Sequence, residues 1–187
     1  MPFNISEFKQ QGLYGGGARS SLFQVEMTLP APLQAFNTTL RKFSFTCRAA
    51  SIPASTVGQV EVPYFGRKIK LAGDRTFADW SVTVMNDEDY AVRKMFETWS
   101  NLLNDNESNL KGVRFNGYKS GAIVKQFAKT NEIIGAYTFV GLFPTEVSAM
   151  ELDWETTNSI QTFSVSLAYD YWLPTNLAFS NLGIPPS

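Results

Sequence analysis

The chain contains no histidine among its 187 residues and a single cysteine, Cys47. The first absence removes the commonest general base, the Ser–His and Cys–His nucleophile systems and the commonest zinc ligand together. The second excludes an intrachain disulfide and a paired-thiol metal cage, a usage that fits assembly in a reducing cytoplasm. Charge is sparse, at 18% of residues, and nearly balanced, with 16 Lys and Arg against 17 Asp and Glu. The basic excess that gives nucleic-acid binders their sequence-independent grip on phosphate is therefore missing. No window approaches eighteen uninterrupted apolar residues, and "MPFNISEFKQQGLYGGG" has no basic stretch followed by an apolar run. Neither a membrane span nor a classical secretion signal is expected.

Core-forming material is plentiful: 44% of residues are hydrophobic and 14% aromatic, fifteen of them Phe, far from the composition of a disordered chain. The length suits one domain with a real core. Residues 1–20, with Gly15, Gly16 and Gly17, read as a flexible N-terminal arm. Strand alternation begins at "LFQVEMTL", where Phe23, Val25, Met27 and Leu29 share one face. It recurs in "FSFTCRA", which places Phe43, Phe45, Cys47 and Ala49 together, then in "QVEVPYF" and "KIKLA", with Pro63 marking an edge, a strand start or a bulge. "WSVTVM" sets Trp80, Val82 and Val84 on one side.

From Asp87 the period changes. Val92, Phe96, Trp99 and Leu103 follow helical spacing, predicting an amphipathic helix over 88–103, capped by Asn86 or Asp87, with Glu88 and Asp89 suiting its positive N-terminal end. Strands resume at "SGAIVKQFAK" and at "AYTFVGLFP", the latter apolar on both faces. "IQTFSVSLAYDYW" closes the domain with Phe163, Val165, Leu167 and Tyr169 in alternation. Residues 173–187 read as a C-terminal extension. Many strands, one helix and no alternating βα pattern predict a mainly β fold over 21–172, an antiparallel sandwich or barrel. Its unpaired edges are available to other subunits.

Seven charged residues crowd between Arg67 and Asp87 in "FGRKIKLAGDRTFADWSVTVMNDE". Asp74, Asp79, Asp87, Glu88 and Asp89 supply carboxylates for a two-acid hydrolase or a Mg²⁺ or Ca²⁺ site, although no EF-hand loop is present. The simpler reading is a Gly73–Asp74 turn, a salt-bridged Arg75 and a capped helix start. Cys47 as a nucleophile would lack a histidine base and reads as a core residue. "GLYGGGAR" lacks the rest of a phosphate-binding loop. Of the four tryptophans, which are able to stack bases, Trp80 and Trp99 fall on apolar faces and read as core; Trp154 and Trp172 stay unassigned.

The blocks "SLFQVEM", "GRKIKLAGDRTFADWSVTVMNDE" and "LDWETTNSIQTFSVSLAYDYW", in that order across residues 21–172, resemble the tail tube proteins of contractile-tailed, myovirus-type bacteriophages. The Gly-rich arm and the residues after Trp172 depart from that pattern. The resemblance implies a β-barrel or sandwich with a flanking helix, without catalytic residue or cofactor. It also implies hexameric rings stacked into a hollow tube inside a contractile sheath. The implied partners are further copies of the chain, the sheath protein, baseplate and tail-terminator proteins, and, in the lumen, the tape-measure protein and loosely held DNA. The implied location is the virion tail, assembled in the host cytoplasm. The tube of a secretion or toxin-delivery machine and a hydrolase using Asp74/Asp79 or Glu151/Asp153 are the rival readings.

Within this frame Arg67, Lys68, Lys70, Asp74, Arg75, Asp79 and Asp87 are expected to set the register between subunits, since charge complementarity selects orientation more than it adds affinity. The segment 50–66, "ASIPASTVGQVEVPYFG", is expected to form an extended hairpin or loop that stacks rings, through Ala54, Val57, Val60, Val62 and Tyr64. A DNA conduit needs a neutral or acidic wall, with which a pI near 5.5 is compatible.

Overall fold

A computed structural model describes residues 5–9, 13, 17–112, 117–155, 157 and 159–175. Half of the expected N-terminal arm, and the C-terminal extension beyond Thr175, lie outside the described residues. Among the described residues no helix is long and apolar enough to cross a membrane.

The chain runs α1 (Ile5–Glu7), β1 (Phe23–Met27), a 3-10 segment (Ala31–Phe36), α2 (Asn37–Thr46), β2 (Cys47–Ala50), β3 (Ser55–Tyr64) and β4 (Arg67–Phe77). It continues through β5 (Trp80–Met85), α3 (Ala91–Leu103), β6 (Ser120–Phe127), β7 (Ile133–Val147), β8 (Thr162–Ala168) and β9 (Tyr171–Pro174). Seven strands form one antiparallel sheet in the order β1-β6-β7-β8-β5-β2, with β9 also on β7. The mainly β, antiparallel architecture is the expected one.

Alternation creates the core. Val25 and Met27 of β1, Trp80, Val82 and Val84 of β5, and Phe163, Val165 and Leu167 of β8 all point inward and are buried. The helix α3 adds Val92, Met95, Phe96 and Trp99 to the same cluster. The Trp80 and Phe139 rings stack with centroids 4.4 Å apart, and the Trp99 Nε1–H donates to the Tyr118 carbonyl at 2.9 Å, which satisfies a polar atom inside an apolar cluster.

β7 spans fifteen residues and changes partners along its length. Its apolar character on both sides has a local cause, a register break at Gly141, which sits at φ +75. The break lets Phe139 and Leu142, of opposite parity, both enter the core.

Two expectations are corrected. Residues 43–46 are helical, not extended, because Phe36, Leu40 and Phe43 follow helical spacing. Phe43 is fully buried against Phe96, centroids 5.6 Å apart, whereas Phe45, expected on the same face, is exposed. The strand begins only at Cys47. The chain thus carries α2 as a second helix beside α3. The helix expected from 88 starts at Ala91, since Asp87–Tyr90 forms a hydrogen-bonded turn that ends with Tyr90 at φ 55. The Asp87 and Asp89 carboxylates accept from the Glu88 and Ala91 N–H groups instead of capping a longer helix.

Candidate functional site

β3 and β4 pair with each other and, among the described residues, with no strand of the body. At about 3.4 Å per residue, a ten-residue strand extends about 34 Å. The ribbon is anchored at its foot. Phe77 packs near Tyr169 and Trp172, with centroids 6.0 Å and 6.3 Å away, and Trp172 in turn meets Tyr137. The Tyr169 hydroxyl donates to the Ala78 carbonyl at 2.6 Å, and the Ala78 N–H donates to the Ala54 carbonyl. Burial, followed by the charge of Asp79, raises the Tyr169 pKa, so the phenol stays a donor at neutral pH.

Beyond the foot the register shifts, with Gly73 and Asp74 opposing Gly58. The anticipated Gly73–Asp74 turn is therefore a bulge inside a strand. The two backbones approach so closely that a Cβ on Gly73 would lie 3.2 Å from the Gly58 carbonyl group. Past the bulge, pairing of Val60 with Leu71 and Val62 with Ile69 gathers four aliphatic side chains on one face, with Tyr64 next to them. Gln59, Glu61, Lys68 and Lys70 occupy the other face, where Lys68 Nζ reaches Glu61 Oε2 at 2.7 Å.

The turn at the tip consists of Phe65 and Gly66, with φ of 43 and 76. Positive φ at both central residues matches the type I′ geometry that suits strand twist, and Asn-Gly is its favoured sequence. A bulky Phe in the left-handed region is strained. Yet Phe65 is 90% exposed, with no packing on the body to offset that strain.

The sequence-predicted site residues thus divide. Arg67, Lys68, Lys70, Asp74 and Arg75 all lie on β4, and Asp79 lies at its foot. Arg75, expected in a salt bridge, donates instead to Ser55 Oγ at 3.0 Å across the ribbon. Asp87 is elsewhere: together with Asp89 it holds Lys42 of α2. The hydrogen bond from Lys42 lowers both carboxyl pKa values, and the two carboxylates raise that of Lys42. Ala54 sits at the ribbon's foot, while Val57, Val60, Val62 and Tyr64 are on β3, Val57 on the face away from the other three. The sequence reading passed over Phe65, Ile69 and Leu71. The period-2 "KIKLA" after a Phe-Gly turn was the signal that could have joined them to β3.

Of the carboxylate pairs, Asp74 and Asp79 lie on an open ribbon and its foot, and Glu151 and Asp153 lie on an exposed loop that borders a cavity, where Asp153 accepts from the Glu155 N–H. Burial pushes the Cys47 thiol up to about 12, so it holds its proton at neutral pH.

Comparison with known proteins adds an independent line. A family profile described as phage tail tube protein matches residues 18–175. The tail tube protein gp19 of Enterobacteria phage T4 is 40% identical over 159 residues, covering 84% of this chain and 92% of that protein. The tail tube protein of Serratia phage KSP90 is 24% identical over 166 residues, covering 88% and 93%. Among solved structures, a chain of the sheath/tube terminator of the extracellular contractile injection system PVC superposes with a TM-score of 0.60 at 14% identity. That match covers 83% of this chain and 94% of that one.

Proposed function

The chain belongs to the phage tail tube protein family, and from that premise we propose that it builds hexameric rings that stack into the inner tube of a contractile tail. The observation that carries this reading is the β3–β4 ribbon. An isolated two-stranded ribbon is marginal in water, and this one presents an aliphatic face and an exposed aromatic tip. Such a surface gains stability when another subunit covers it.

Register between subunits falls to Arg67, Lys68, Lys70, Asp74 and Arg75, with Asp79 at the foot; Asp87 serves the α2–α3 junction. Stacking between rings falls to Val60, Val62 and Tyr64 with their β4 neighbours, and to Ala54 and Val57 near the foot. In this reading the sheath protein surrounds the tube, baseplate and terminator proteins close its ends, and the tape-measure protein and then DNA occupy the lumen. The near-neutral chain, net −1, has no surplus of cations to hold the duplex. The role is structural and non-enzymatic, in a virion tail assembled in the host cytoplasm. Identity of 40% to a phage protein, against 14% to an injection-system chain, favours a phage tail over a toxin-delivery tube.

Negative-stain electron microscopy with sedimentation tests the reading directly. Hollow rings or tubes with six-fold top views are expected; a protein that stays monomeric at high concentration, even with a baseplate template, would overturn it. The double reversal Arg67→Glu with Lys70→Glu should slow polymerisation without changing the monomer's thermal midpoint. Unimpaired tubes from that variant would remove these two charges from register setting.

A further inference from the structure

The second exposed apolar surface lies on the connection from β7 to β8. Trp154 is 99% exposed, Leu152 81% and Ile160 68%. Leu152 and Ile160 line an open cavity of about 660 Å³ together with Arg48, Glu151 and Asp153. Trp154 follows Asp153 directly in the chain, with Glu155 next to it. A tryptophan standing in water contributes nothing to the core of its own chain. Aromatic side chains next to pockets are the residues on which interfaces most often depend.

The ribbon tip has the complementary character. It is convex, with Tyr64 and Phe65 in edge contact at 4.6 Å, and Arg67, Lys68 and Lys70 follow immediately. Arg67 and Lys70 stand in no ion pair among the described residues. One surface is a concave acidic groove with an apolar lip; the other is a basic knob with an aromatic end.

We propose that the β7–β8 groove of one subunit receives the β3–β4 ribbon tip of another, with Trp154 on the apolar lip packing against Phe65 and the acids of the groove meeting Arg67 and Lys70. This deepens the tube reading and rests on it. Knob and hole are different surfaces of the same chain, so the contact is head-to-tail. A contact of that kind propagates from copy to copy, closing into a ring or extending as a filament according to its rotation. Charge complementarity orients the tip as it enters, and the strained tip is retained because Asn in place of Phe65 would relax the turn while removing the knob.

The test uses the full chain. Two variants, Pro63→Cys at the exposed ribbon end and Ser159→Cys, both with Cys47→Ala so that only the introduced thiols react, are purified separately, mixed, allowed to assemble and treated with a short bismaleimide. A cross-linked dimer band is expected from this mixture and not from Pro63→Cys mixed with Asn101→Cys, on the exposed side of α3. Phe65→Asn and Trp154→Ala should each keep the monomer folded and raise the concentration needed for assembly about tenfold or more. Tubes without the cross-link, or variants that assemble at the native concentration, would overturn the docking proposal and leave the tube reading standing. Failure of the native chain to assemble under the same conditions, with or without a template, would bring down both.

Discussion

Gly141 sits where β7 shifts register and faces Asp170, one of the two residues between β8 and β9. Its φ of +75 is one that an L side chain rarely adopts, and a Cβ there would collide with the Asp170 carboxylate. That carboxylate is held by Lys119 Nζ at 2.7 and 2.8 Å, while the Asp170 N–H donates to the Val140 carbonyl. The site cannot open without breaking a charge-assisted contact and a backbone bond. Gly141→Ala should therefore lower stability by about 1–3 kcal/mol, measured as a shift in the denaturant midpoint with an unchanged slope. A midpoint equal to that of the native chain would mean that Asp170 moves aside freely. Phe43 shows the limit of residue-level reading. Its burial was legible from its character, but its element was not, because 43, 45 and 47 offer a strand period while 36, 40 and 43 offer a helical one. Packing against Phe96 decides between them, and a partner 53 positions away leaves no mark in a local window.

At the level of elements, α2 and α3 are joined by the Lys42, Asp87 and Asp89 cluster as well as by Phe43 and Phe96. Asp87 and Asp89 have carboxyl pKa values lowered by the hydrogen bond from Lys42. Their contribution is complete above the ordinary carboxylate value of about 4 and is lost as pH falls through the lower folded values. Lys42, raised by the same bonds, keeps its contribution until pH climbs through its folded value above 10.5. Lys42→Met should lower the thermal midpoint slightly at neutral pH, where the pairing contributes, and bring it towards the native value below about pH 4, which flattens the acid limb. A limb as steep as the native one would show that other carboxylates dominate. The strands β1, β5 and β8 were legible because each has one face in the core, which imposes strict alternation. The ribbon was legible as extended chain for the same reason, but its isolation was not. A strand whose apolar face meets its own core and one whose apolar face awaits another molecule have the same period. The groove went unseen for a related reason: an exposed Trp154 and a buried one are the same letter, and only the fold separates them.

For the molecule as a whole, the body has a completed core and the ribbon has none, so the two should differ in local stability. Trypsin should cut the free subunit first at Arg67, Lys68 or Lys70, all of them exposed, and the body later. Assembled tubes should protect those bonds; equal cleavage rates before and after assembly would contradict a buried ribbon. The bulge at Gly58 and Gly73 adds a mechanical consequence. From Gly58 to Phe65 is about 23 Å of strand, so the close-packed glycines act as the fulcrum of a lever. A tilt of about 5° there carries the tip sideways by about 2 Å, more than half a residue's rise along a strand. Gly73→Ala, which forces the Gly58 backbone to yield by a few tenths of an ångström, should let subunits assemble while altering the twist from ring to ring, read from the helical parameters of imaged tubes. Unaltered parameters would place the fulcrum elsewhere. Altered parameters would mean that two glycines with no side chain to contribute set the pitch of a structure many times longer than the chain that encodes it.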